Sequence, residues 1–117
     1  MELLNIEELN FKQVKKKDSV IIEFGKFDSL DIIQEVDVKL MRIIPVELGN
    51  HDMHEIAMDD SHGRFFTYGT NAEVLFKCML PVLKDYDFLK EATVHLNFTK
   101  GDKENDLEFK LSSVTAD

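Results

Sequence analysis

The chain has one cysteine, two prolines, five glycines and no long apolar run. Each shortage closes off a class of protein. A lone Cys78 has no partner for an intramolecular disulfide, which excludes a small secreted scaffold held by such bonds. No stretch approaches the roughly 18 consecutive apolar residues of a membrane helix. The opening MELLNIEELN carries acids where a signal peptide has its basic region, so a cytoplasmic protein that meets no membrane is expected. Gly-rich phosphate loops and the HExxH pattern of helical zinc proteases are absent. The run Asp59-Asp60-Ser61-His62-Gly63 lacks the alternating oxygen ligands and final glutamate of an EF-hand. No cofactor and no catalytic residue is expected. With nine Phe, 44% hydrophobic residues and so few prolines, the 117 residues read as one globular domain, residues 1–117.

Negative charge is what the chain has in excess. The formal net charge is −9, and the stretch from Asp28 to Asp60 holds nine acids against two bases, Lys39 and Arg42. That stretch therefore supplies most of the net charge. A concentrated negative field attracts basic surfaces and repels nucleic acid and anionic membrane. The small basic run of Lys12, Lys15, Lys16 and Lys17 does not offset it, and no nucleic-acid binding is expected.

Hydrophobic periodicity predicts an α+β fold: a mainly antiparallel sheet of five to six strands, one long helix on one face, and a short N-terminal helix. The short helix is suggested by Leu3, Leu4, Ile6 and Leu9, and a short buried strand by Val20 to Phe24. From Leu30 to Val46 the even positions are largely apolar, and the odd ones through Lys39 are Asp31, Ile33, Glu35, Asp37 and Lys39, which predicts a long strand. A helix there would scatter its apolar residues around the circumference. Met53 to Met58 and Arg64 to Tyr68 read as a hairpin in which Gly63 supplies the positive φ. Thr70 or Asn71 caps the long helix, whose stripe is Val74, Leu75, Cys78, Met79, Val82, Leu83 and Tyr86, with a kink or a stop and restart at Pro81. Alternating residues 92–99 and 107–112 form a terminal hairpin.

The densest set of potential ligands is His51-Asp52-Met53-His54-Glu55 with His62 beyond it. Imidazole and carboxylate together suit a transition metal, so His51, His54 and His62 stand as the alternative metal-binding or enzymatic reading. On a regular strand, residues three apart point to opposite faces; His51 and His54 converge only if the backbone bends between them. A solvated loop and hairpin tip explains the run without an ion.

Residues 45–83 combine a Pro-led loop, a short strand, an Asp-rich turn ending at Gly63-Arg64, a second strand and a helix carrying Phe76 and Leu80. This pattern, about a third of the chain, resembles SUKH-type bacterial immunity proteins. The resemblance implies a cytosolic protein that binds and blocks a toxin domain. Acidic patch and resemblance together lead to an acidic, non-enzymatic binding protein that neutralises a basic protein partner, such as a nuclease toxin. A phage-encoded mimic of nucleic-acid charge and a subunit of a larger assembly are the other readings. Expected contacts are Asp31, Glu35, Asp37, Glu47, Asp52, Asp59 and Asp60, with Ile33 or Phe66 as apolar anchor.

Overall fold

A computed structural model of the chain describes residues 18–114. Five strands and two helices succeed one another as β1 (Asp18–Phe24), α1 (Leu30–Ile43), β2 (Gly49–Ile56), β3 (Gly63–Gly69), α2 (Ala72–Leu83), β4 (Thr93–Lys100) and β5 (Lys103–Lys110). The strands form one sheet in the order β2-β3-β1-β4-β5, and every neighbouring pair is antiparallel. The fold is α+β, as the sequence predicts, with five strands and two helices among the described residues. The short N-terminal helix expected from Leu3 to Leu9 lies outside them.

Both helices cover one face of the sheet. Alternation in β1 sends Val20, Ile22 and Phe24 into the core, where they meet Phe65 of β3 and Val94 of β4. Ile21, Glu23, Arg64, Phe66 and His95 point the other way, onto a face against which no described element packs.

The segment from Leu30 corrects the sequence reading. It is a 14-residue helix, not a strand. Ile33, Val36, Asp37 and Leu40 are its buried residues, at the i, i+3, i+4, i+7 spacing of one helical face. The apolar residues left over are scattered outward: Leu30, Val38 and Met41 are 49%, 43% and 46% exposed. Helical signals bracket the segment. Ser29 occupies the N-cap, Asp31 sits in the first turn and Arg42 in the last, each favourable to the helix dipole. Glu35 and Lys39 pair at i, i+4 with a separation of 3.6 Å. Pro45 then forces extended backbone on Ile44, whose φ and ψ are −88° and 116°, and ends the helix.

The second helix begins where predicted, with the Asn71 side chain accepting the Val74 N–H at 3.1 Å. Asp18 adds a second acceptor, taking the Ala72 N–H at 2.9 Å and so tying the first residue of β1 to the helix start. The helix runs through Pro81 and ends two residues later, so the proline belongs to its last turn. Cys78 is only partly buried. At the β2–β3 turn the positive φ falls on Asp60, at 58°, and not on Gly63. Gly63 is instead buried in β3, where a Cβ would meet the Glu55 carbonyl oxygen at 2.8 Å.

Candidate functional site

The most deeply enclosed acid among the described residues is Asp37, 1% exposed on the inner face of α1. It accepts two imidazoles from the neighbouring edge strand. His51 Nε2 lies 2.6 Å from Oδ1 and His54 Nδ1 lies 2.5 Å from Oδ2. Thr67 on β3 completes the set, its Oγ1 2.9 Å from His51 Nδ1. His51 Nε2 and His54 Nδ1 each donate to the carboxylate, one to each oxygen. Burial pushes the His51 pKa below the ordinary histidine value, opposed by the hydrogen bond and charge of Asp37.

A backbone irregularity makes this convergence possible. His51 pairs with Thr67 and His54 with Phe65, so Asp52 and Met53 together oppose Phe66. One extra residue in β2 puts both histidines on the same sheet face, a β-bulge. Met53 takes the left-handed region with φ at 68°. Such a conformation costs a non-glycine residue on the order of 1–3 kcal/mol. The bend that the two histidines require is therefore present.

The third member of the proposed metal set is elsewhere. His62 sits exposed at the β2–β3 turn, with Nδ1 2.9 Å from the Ser61 hydroxyl. No group of three His, Cys, Asp or Glu among the described residues is arranged to hold a metal ion. Both ring nitrogens of His51 are already bonded, to Thr67 and Asp37. Of the two histidines on Asp37, His54 alone keeps a nitrogen, Nε2, uncommitted, on a side chain 21% exposed. His54, oriented by the carboxylate, is competent to exchange a proton, but no described hydroxyl or thiol is hydrogen-bonded to His54.

The proposed contact residues divide by their helix or strand position. Ile33 is fully buried and Asp37 nearly so; neither can touch a partner, because both lie on the core face of α1. Asp31 and Glu35 are exposed on the outer face of α1, Glu47 in the connection to β2, Asp52 on β2, and Asp59 and Asp60 at the turn after it. Glu35 already accepts the Tyr86 hydroxyl at 2.6 Å, a bond that holds its pKa below the usual carboxylate value. Asp59 is lowered likewise by the hydroxyl and backbone N–H of Ser61. Phe66 is half-buried on the open sheet face opposite Ile21. That face also carries His95, whose Nε2 is 3.0 Å from Glu23 and whose Nδ1 is 3.4 Å from Glu108.

Two features escaped the sequence reading. The strand reading places Asp37 among the surface acids, although its position between Val36 and Leu40 at helical spacing marks it as inward. The apolar row Leu30, Val38 and Met41, with Gln34 between, lies beside Asp37 on α1 and stays exposed. Comparison with protein-family models, with curated proteins and with solved structures found no match.

Proposed function

We propose that this chain is a non-enzymatic cytoplasmic binding protein that covers a basic protein partner and neutralises it, in the manner of an immunity protein against a toxin domain. The observation that carries the reading is the outer surface of α1. Leu30, Val38 and Met41 remain 43–49% exposed there, within the segment that holds most of the net negative charge. Apolar side chains held at the centre of a charged surface are the composition of a protein interface. Asp31, Glu47, Asp52, Asp59 and Asp60 supply the field around them. Such a field steers a basic partner into contact and accelerates association, while the apolar row fixes the pose. A nuclease fits this description, since a site that holds phosphate is basic and a carboxylate can take phosphate's place on an arginine.

The sequence resemblance of residues 45–83 to immunity proteins points the same way. The Asp37–His51–His54 cluster then serves as a clamp that holds α1 against β2 and keeps the apolar row in place. The test is co-expression with the product of the adjacent gene, followed by titration of the purified pair at low and moderate salt. A 1:1 complex is expected, its association slowed by salt and by Asp31→Asn with Asp52→Asn, and its affinity lowered by Val38→Glu. Absence of a complex, together with absence of protection of cells that express that product, would overturn the proposal.

A further inference from the structure

The two edges of the sheet differ. β2 is interrupted by its bulge, whereas β5 pairs with β4 without a break from Lys110 opposite Thr93 to Lys103 opposite Lys100. The Leu111 N–H donates to the Ala92 carbonyl at 2.8 Å, so the alternate residues Phe109, Leu107 and Asn105 also spend their backbone groups on β4. Asp106, Glu108 and Lys110 turn theirs outward. Among the described residues no strand lies beyond them, and the Lys110 carbonyl accepts only the Ser113 hydroxyl, at 2.6 Å, which leaves it a second lone pair. Apolar surface runs along the same edge. α2 and the β4–β5 hairpin enclose a groove of about 1070 Å³, with Phe76, Leu80 and Pro81 on one wall and Phe98, Leu107 and Phe109 on the other. Leu107 is 51% exposed where its cross-strand neighbour Leu96 is 6% exposed.

We propose that β5 pairs antiparallel with β5 of a second copy of this chain, about a two-fold axis at Glu108, so that two five-stranded sheets become one. The side chains select this register. It sets Leu107 opposite Phe109 of the second copy and Asp106 opposite Lys110, each twice by symmetry. The charges on the paired span are Asp106, Glu108 and Lys110 of each copy. Two attractive pairs therefore stand against one like pair, Glu108 with Glu108, and each Glu108 has its own His95 beside it, with Nδ1 at 3.4 Å. Asp106 gives Oδ1 to the Asn97 amide, and Lys110 donates to Thr93 and to the Glu91 carbonyl, so each keeps an oxygen or an N–H for the other copy. Neighbouring registers are poorer. Centred on Leu107, two Asp106–Glu108 repulsions cancel two Glu104–Lys110 attractions; centred on Phe109, only three residues of each strand overlap, because β5 ends at Lys110. Two copies that each carry −9 repel at long range, so the contact tightens as salt screens that repulsion, opposite to the binding of a basic partner. The inference does not rest on the proposed function, which uses α1 and the β2 side of the sheet.

Sedimentation velocity of the full chain, from micromolar to millimolar concentration at low and at high salt, tests it. A monomer–dimer equilibrium is expected, tighter at high salt. Glu108→Pro removes an N–H that pairing with β4 does not use, and should abolish the dimer while leaving the circular dichroism spectrum unchanged. Asp106→Lys should weaken the dimer about tenfold, since two attractive cross-strand pairs become repulsive, and adding Lys110→Asp should restore it. The charge exchange keeps the test open even where the proline variant folds poorly. A chain that stays monomeric at every concentration and salt would overturn the proposal. So would a dimer that a folded Glu108→Pro leaves intact, one that salt dissociates, or one that Asp106→Lys weakens and Lys110→Asp does not rescue.

Discussion

Replacing Asp37 by Ala should cost about 3–5 kcal/mol, the range for removing one partner from a buried ionic set. The structure gives the reason for so large a loss. Asp37 accepts bonds from His51 at 2.6 Å and His54 at 2.5 Å. Hydrogen bonds to a charged group contribute about 1.5–3 kcal/mol each. Their fates differ once the carboxylate is gone. The His54 side chain is 21% exposed and recruits water in its place, whereas the His51 side chain is fully buried and keeps an unanswered N–H. His54→Ala, which leaves the inner bond intact, should therefore cost less, about 1–2 kcal/mol. Urea unfolding followed by circular dichroism separates the two. At an m-value of about 1.5 kcal/mol/M, Asp37→Ala lowers the midpoint by about 2–3 M and His54→Ala by about 1 M. The triple variant Asp37→Leu, His51→Leu, Thr67→Val removes every member of the inner set and should be more stable than Asp37→Ala alone, because no buried polar group is stranded. Equal midpoints for Asp37→Ala and His54→Ala, or a triple variant less stable than the single, would refute the assignment of Asp37 as the enclosed acceptor.

Met53→Gly relieves the left-handed backbone at the bulge and should raise stability by about 1 kcal/mol, read as a higher urea midpoint; a lower one would mean that the Met53 side chain contributes more than its backbone conformation costs. Burial lowers the His51 pKa in the folded chain, so the unfolded chain takes up a proton first as pH falls below about 6.5. Its contribution is thus fully present above that pH and is lost as pH falls toward the folded value, and a midpoint higher near pH 5.5 than near pH 7.5 would contradict the sign. Asp18→Ala removes the acceptor for the Ala72 N–H at 2.9 Å and the Thr99 N–H at 3.3 Å, and should cost about 1–2 kcal/mol in the same measurement; a neutral effect would show that Asn71 alone suffices at the helix start. Gly69→Ala would set a Cβ 2.1 Å from the Leu48 carbonyl oxygen, and should leave the chain with little folded signal by circular dichroism.

The sequence made α2, the two hairpins and the inward face of β1 legible because one period dominated each. Residues 30–46 were not legible in that way. Their even positions suit a strand, and Ile32, Ile33, Val36, Val38 and Ile43 carry the β-branched character of one. Helical spacing of Ile33, Val36, Asp37 and Leu40 was present too, but it reads as a core stripe only if an aspartate is allowed inside. That permission comes from His51 and His54, fourteen and seventeen residues further on. Local pattern could not reveal it, since the buried carboxylate is satisfied by a long-range pairing and by a bulge that no residue type announces. The open groove beside α2 was equally hidden. Its walls come from residues as far apart as Phe76 and Leu107, each of which reads as ordinary core or strand material on its own.

Moving Asp37 inward changes the acidic surface without dissolving it. Of the nine acids between Asp28 and Asp60, the other eight remain exposed. Their layout is no longer a flat strand face. Phe24 pairs with Gly63, so the Gly25–Ser29 connection and the β2–β3 turn leave the sheet at one end, bringing the Asp28 side of α1 to the end that holds Asp59 and Asp60. Asp52 and Glu55 continue the charge along β2, which is a sheet edge. An edge strand ordinarily offers its backbone to an incoming strand, but the bulge at Met53 interrupts the regular ladder in β2 and weakens it as a template. A partner that approaches this side therefore meets side chains: carboxylates at the edge and the exposed Leu30, Val38 and Met41 of α1. Under the proposed function, recognition there comes from charge and apolar contact rather than from sheet extension. For that reason Val38→Glu should weaken binding even at low salt, where steering by the carboxylates is strongest.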